Sequence, residues 1–273
     1  MFGNAGISTV LGLNQEGADL VVIGQLLDPM GGVVTTGEQG ITTWSDLEGK
    51  TVGKYPYGST GPEAKAAMQK EGVDVSAITF QNVQPGNGEQ LLFNGNIDAM
   101  IKFVPLSKAR LLDEGYSPNV LITSHVLDHL GISLYTRREV VEEQPETVES
   151  FVRGWLKAYQ IFANQIDEVF EIYTPLAVEG FDEEIQREAL PEYYAAQVPD
   201  PSIGTEYGKG WTDSEKLDRT IETFSDAGLI DGGVDAEAMY TNEFIDDNRE
   251  LAVETATEIY DRLEDFEIGP NYI

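Results

Sequence analysis

The chain has 273 residues, no cysteine, and 48 acids against 17 bases, for a formal net charge of −31. The lack of cysteine excludes disulfides, thiolate metal sites, a cysteine nucleophile and a lipid-modified cysteine on this chain as given, and the missing basic footprint excludes nucleic acid as an expected partner. The acids are scattered along the chain, and 41% hydrophobic residues in regular runs predict a folded chain, with length for one large domain or two lobes.

Phe2 to Gly6 reads as a strand end and loop, followed by a short helix from Ser8 to Asn14 with Ser8 placed to cap it. Gly17-Ala18-Asp19 turns into Leu20 to Leu27, a run apolar enough for a buried strand, and Gly31 to Thr36 gives another. Trp44 to Leu47 is a brief helical turn. Thr51-Val52-Gly53 is a strand, Tyr57 to Gly61 a small-residue loop, and Pro62 and Glu63 suit the first turn of a helix that runs to Lys70 and closes at Gly72. Free N–H groups at that helix start, with the Ser59 and Thr60 hydroxyls, make a polar grip for a small ligand. An ordinary βα turn explains the same residues, and the stretch alone does not separate the two readings.

Strands follow at 78–83, 97–103, 120–122 and 132–136, with helices at 89–93 and 105–114 between them. Strands alternating with helices predict an α/β fold with mostly parallel sheets. From Pro145 the character changes. Val148, Phe151, Val152, Trp155, Leu156, Tyr159 and Phe162 mark one face at helical period, which assigns Trp155 to the core. Further helices are expected at 167–173, 183–188, 214–227 and 248–263, with a Pro- and Gly-rich loop from 198 to 210.

No catalytic constellation is legible. Glu63, Glu89 and Asp98 have no nucleophile beside them, and Ser59 has no GxSxG elbow. His125 and His129 lie four apart, but Asp128-His129-Leu130-Gly131 reads as a turn and no HExxH pattern surrounds it, so no metal is expected.

Several phrases align in order with one family. They are Asp46-Leu47-Glu48-Gly49-Lys50-Thr51-Val52-Gly53, Gly58-Ser59, Gly95-Asn96-Ile97-Asp98-Ala99, Tyr135-Thr136-Arg137-Arg138-Glu139, Gln144-Pro145-Glu146 and Phe151-Val152-Arg153-Gly154-Trp155. The chain resembles the solute-binding proteins of ABC importers, in the branch for nitrate, sulfonates, taurine and thiamine pyrimidine precursors. Ala227-Gly228-Leu229-Ile230, Val234-Asp235 and Tyr240-Thr241-Asn242-Glu243-Phe244 resemble the pyrimidine-precursor branch in particular. The resemblance implies an α/β, two-lobed clamp of the periplasmic-binding-protein-like type II kind, with a helical C-terminal half and an incomplete first lobe. Lobe one would comprise 1–41 plus 125–273, and lobe two 42–124. It implies a non-catalytic monomer without cofactor, extracytoplasmic or at the cell surface, serving permease and ATPase subunits. The ligand would be a small polar organic solute, a pyrimidine-like heterocycle or a sulfonate- or nitrate-type anion.

Within that frame the expected ligand wall has four parts: Asn4, Ala5 and Gly6 at a lobe-one helix start; Tyr57, Gly58, Ser59 and Thr60 at a lobe-two helix start; Lys102 and Phe103 at a strand end; and Trp211 as a cover for a flat ligand. Plain packing explains Tyr57, Phe103 and Trp211 as well, and a local ion pair explains Lys102. Two departures from the family stand out. Its usual first strand and helix, and the leader and lipid-attachment region before them, have no counterpart ahead of Phe2, so the chain reads as a fragment or a misassigned start. Where the pyrimidine-precursor branch carries polar or acidic groups, this chain reads Lys102-Phe103-Val104-Pro105. The alternatives are a pyrimidine-synthesising enzyme of the same fold, whose cysteine-rich motif is absent here, and a truncated chain that binds nothing. The acidic composition resembles that of proteins from salt-loving organisms, in which molar salt shortens the Debye length to roughly 3 Å and suppresses self-repulsion.

Overall fold

A computed structural model describes residues 2–177, 181–197 and 200–266. In chain order its strands are β1 (Phe2–Gly6), β2 (Leu20–Leu27), β3 (Gly31–Thr35), β4 (Thr51–Lys54), β5 (Thr79–Asn82), β6 (Ala99–Phe103), β7 (Asn119–Ile122) and β8 (Ile132–Arg137). The helices among them are α1 (Ile7–Gln15), α2 (Thr60–Lys70), α3 (Gly88–Phe93) and α4 (Val104–Asp113). The helical half carries α5 (Arg138–Glu143), α6 (Pro145–Asn164), α7 (Ile166–Tyr173), α8 (Glu183–Glu188), α9 (Leu190–Gln197), α10 (Pro201–Glu206), α11 (Ser214–Asp226), α12 (Glu243–Asp246) and α13 (Arg249–Asp265).

The strands make two sheets, ordered β1-β8-β2 and β5-β4-β6-β3-β7. In the first, β8 lies antiparallel between β1 and β2, with Asn4 opposite Leu134 and Val21 opposite Thr136. In the second, β4 pairs in parallel with β5 and β6, while β3 is antiparallel to β6 and β7. The expectation of mostly parallel sheets therefore fails: strands β3 and β8 each enter a sheet from a distant part of the chain and run against their neighbours. Gly31–Thr35 belongs to the second sheet, so by sheet membership the change of unit falls between Leu27 and Gly31, earlier than the boundary expected after residue 41. The chain returns between Ile122 and Ile132.

Alternation of buried residues explains the layering. On the second sheet Val33, Val52, Ala99, Ile101 and Leu121 face α2 residues Ala64, Ala67 and Met68. Their neighbours Val34 and Ile122 face α4 instead, and Met100 packs with Leu92 of α3. On the first sheet Val22 packs toward α1 and α11, and Ile23 toward Val148, Val152 and Leu156 of α6. The apolar face read from the sequence is this α6 surface. Two local expectations change. Phe2–Gly6 is wholly strand, because it pairs along its length with β8. Part of the stretch read as a loop from 198 to 210 forms α10, started by Asp200, whose carboxylate accepts from the Ser202 N–H at 2.8 Å; Val198 and Pro199 lie outside the described residues.

The helical half also reaches back over the second sheet. Ile185 and Ala189 pack on Ala109 of α4, and the Lys108 ammonium lies 2.6 Å from Glu192. The units are thus joined by the two crossings and by this helical strap.

Candidate functional site

Strand directions place Gly6, Leu27 and Ile132 at one edge of the first sheet, and Lys54, Phe103, Gly31 and Ile122 at one edge of the second. Helices α1 and α2 start at these edges and meet. A Cβ added to Gly6 would fall 2.2 Å from the Ser59 hydroxyl oxygen and 2.8 Å from its Cβ. Glycine is needed at position 6 because the two helix starts touch there. Next to that contact the Ser8 hydroxyl donates to Glu63 Oε1 at 2.6 Å. Ser8 was expected to cap α1. The helix instead begins one residue earlier, with Gly6 at the cap position and no side-chain cap, and Ser8 is free to bond across to α2. Thr60 lies against Gly31, whose Cβ would come 2.9 Å from the Thr60 methyl.

The wall residues do not form one continuous surface. Asn4 is exposed on β1, and Ala5 packs with the α1–α11 core. Tyr57 is 65% exposed and stacks on Tyr55 at 6.3 Å. Tyr57 and Gly58 border a groove of about 500 Å³ closed on its far side by Ala227, Gly228 and Leu229. Phe103 stacks on Tyr193 of α9 at 5.5 Å, a contact between the second sheet and the helical strap. Trp211 stacks on Tyr207 at 4.4 Å, with the Arg249 guanidinium 5.2 Å from its ring, and lines a different cavity.

Lys102 is paired with Glu89 of α3, and the Ser107 hydroxyl donates to the same Glu89 oxygen at 3.0 Å. Burial pushes the Glu89 carboxyl up, but the Lys102 ammonium and these hydrogen bonds outweigh it and hold the group below the ordinary carboxylate range. Its second oxygen, Oε2, is buried without a partner. Lys102 therefore brings no net positive charge to the strand end.

The cavity lined by Trp211 has a volume of about 230 Å³ and lies within the first unit. The end of β2, Gln197 of α9, α10, the Gly208–Trp211 loop and the start of α11 enclose it. Its most distinctive group, Lys209, is 2% exposed. The one sequence signal for it was the Gly208-Lys209-Gly210 tripeptide. Both glycines have positive φ, and a Cβ on Gly210 would meet the Trp155 ring at 2.8 Å. Glycine alone fits a loop held this close.

His125 is exposed, whereas His129 is buried with Nδ1 2.7 Å from the Leu130 carbonyl. Burial lowers the His129 pKa. Among the described residues no cluster of three His, Asp or Glu side chains is disposed to hold a metal ion.

The NMT1/THI5 like family model matches residues 1–169. The riboflavin-binding protein RibY of Chloroflexus aurantiacus is 26% identical over 205 residues, which cover 74% of this chain and 57% of RibY. This chain thus spans little more than half the length of that relative. Among solved structures, the alkanesulfonate-binding protein SsuA from Xanthomonas axonopodis pv. citri, bound to MOPS, superposes with a TM-score of 0.64 at 19% identity, covering 88% of this chain and 80% of that one. The desulfurization enzyme DszB superposes with a TM-score of 0.52 at 13% identity, covering 91% of this chain and 85% of that one. The fold is therefore shared with binding proteins and with at least one enzyme.

Proposed function

The chain belongs to the NMT1/THI5-like family, and from that membership we propose that it is the non-catalytic solute-binding component of an ABC importer. It captures a flat, polar heterocycle in the cleft between its two α/β units outside the cytoplasm and hands it to a permease driven by ATPase subunits. The observation that carries this reading is the meeting of the two helix starts, Gly6 on Ser59 and Ser8 on Glu63 at 2.6 Å. Such a contact brings the two units together at the cleft edge, and helix N-termini bring free N–H groups to it.

The local chemistry favours a heterocycle over an anion. Lys102, the cation at the strand end, is neutralised by Glu89. Tyr55, Phe103 and Tyr193 offer ring faces at the same edge, with the Lys102 ammonium 6.0 Å from the Tyr55 ring. RibY, by its name, binds a flat ring compound.

Thermal unfolding in molar salt tests the reading against riboflavin, aminopyrimidines, taurine, alkanesulfonates and nitrate. A ligand at 100 times its dissociation constant is expected to add about 2.7 kcal/mol of stability. The expected pattern is a shift with a ring compound and none with the anions. No shift with any of them would sink the binding function, and a shift with taurine or nitrate alone would replace the heterocycle with an anion.

A further inference from the structure

Lys209 is a buried cation with no carboxylate within ion-pair distance among the described residues. Its ammonium donates to the carbonyls of Leu26 and Gln197, the latter at 2.7 Å. The rings of Tyr159 and Trp155 lie 4.8 Å and 5.7 Å from it. Two of the three ammonium hydrogens are used, leaving one. Gln197, 6% exposed, has a buried amide oxygen without a partner. Both residues line the 230 Å³ cavity of the first unit. Lys209, held by two carbonyls and two ring faces but by no carboxylate, and Gln197, with its amide oxygen unpartnered, thus border one space, and burying a charge or an amide without full partners is costly.

The other charged groups around the cavity are already matched. Asp28, the acid whose charge reaches Lys209, is bound by Lys216 at 3.3 Å. Asp128 is bound by Arg219 at 2.7 Å. Asp200 and Asp213 accept from N–H groups of the helices they start. The lining thus holds four acids against Lys209, Lys216 and Arg219, and the pull on an anion is local to the Lys209 ammonium, the one lining cation without a carboxylate partner among the described residues.

We propose that this cavity is a binding site for a small oxyanion, a carboxylate or a sulfonate, held by Lys209 and the Gln197 amide inside the first unit and separate from the cleft. An oxyanion accepts the third Lys209 hydrogen. It also accepts from Gln197 once that amide turns to present its NH₂, an orientation that hydrogen bonding decides. At roughly 30 Å³ for each water-sized share, the space suits a headgroup with a short tail. Burial lowers the Lys209 pKa to about 7, with Asp28 opposing, so the counter-charge is present in mild acid and lost in base. Tyr159, the other titratable group against Lys209, has its pKa raised by burial and stays neutral across this range. The inference does not depend on the cleft reading.

The test uses the full chain at constant high ionic strength, with chloride replaced stepwise by acetate or by methanesulfonate. Tryptophan fluorescence reports occupancy, because Trp211 lines the cavity and Trp155 flanks Lys209. A saturable change is expected at about pH 6, with a dissociation constant at least tenfold larger at about pH 9. A response to acetate alone, to methanesulfonate alone or to both supports the site and says which headgroup it takes. Lys209→Met keeps all but the last atom of the side chain and removes the charge, and is expected to abolish the response. Gln197→Leu, with Lys209 intact, is expected to weaken it at least fivefold and decides the matter if Lys209→Met does not fold. Ser59→Gly, at the cleft, is expected to leave it unchanged. No saturable response, one indifferent to pH, or one retained in Lys209→Met and Gln197→Leu would overturn the proposal.

Discussion

Lys209 also sets how stability answers to pH. Its pKa is about 7 in the folded chain against an ordinary 10.5. Between those values the unfolded chain holds a proton that the folded chain has released, so stability rises with pH, by up to about 1.4 kcal/mol per unit. His129, lowered by burial, works in the same direction at lower pH. Buried tyrosines oppose above about pH 10. Burial pushes Tyr193 and Tyr194 up to about 12, so the unfolded chain ionises first and stability falls. Urea unfolding in chloride is expected to show greatest stability between about pH 9 and about pH 10. Lys209→Met is expected to flatten the rise, because it removes the group that titrates, while the Leu26 and Gln197 carbonyls lose their donor, at a cost of about 1 to 3 kcal/mol each. A wild-type profile flat from about pH 7 to about pH 9 would contradict the assignment of a low pKa to this lysine. Little of this was legible. The sequence shows a lysine between two glycines, and only the packing of β2, α9 and α13 around that loop buries it.

At the scale of elements, the contact between α1 and α2 links the two units. The Gly6→Ala variant is expected to keep its fold, since each helix retains its own core, but to hold the helix starts apart. A loss of about tenfold in affinity for the cleft ligand, about 1.4 kcal/mol, is expected by calorimetry. Adding Ser59→Gly removes the opposing side chain and is expected to restore most of it. Equal affinity in Gly6→Ala would show that this contact plays no part in closure. Both helices were visible in the sequence from their apolar spacing and from Pro62 and Glu63. Their meeting was not, because it joins residues more than fifty positions apart. The same limit hid the partner of Lys102. Glu89 was legible as a helix-start acid, and only the second sheet, which sets α3 beside the end of β6, makes the two an ion pair.

For the molecule as a whole, the net charge of −31 dominates. With 48 acids and 17 bases, most carboxylates have no basic partner, and the exposed pairs that do form, such as Arg138 with Asp19, contribute about 0 to 1 kcal/mol each. Raising sodium chloride from about 0.1 M to about 1 M shortens the Debye length from roughly 10 Å to roughly 3 Å. The unfolding midpoint is expected to rise by roughly 10 °C, several kcal/mol for a chain of this size. A midpoint indifferent to salt would remove the case for adaptation to a saline solvent. No helix among the described residues is long and apolar enough to cross a membrane. The helical strap of α8 and α9 packs on α4, a contact between the units that no reading of single elements anticipated.

The sequence by itself determined the α/β class, the strands, the longer helices, the apolar face of α6 and the family, because these depend on local periodicity, turn residues and short phrases; the short helices α5, α9, α10 and α12 were not legible in it. The tertiary structure alone decided that β8 lies between β1 and β2, that β3 joins the second sheet, and that Gly6 meets Ser59. It also decided that Lys102 is neutralised while Lys209 has no carboxylate partner among the described residues. Those outcomes depend on which distant segments share a sheet or a cavity, and on how burial then shifts the balance between charge, solvent and partner.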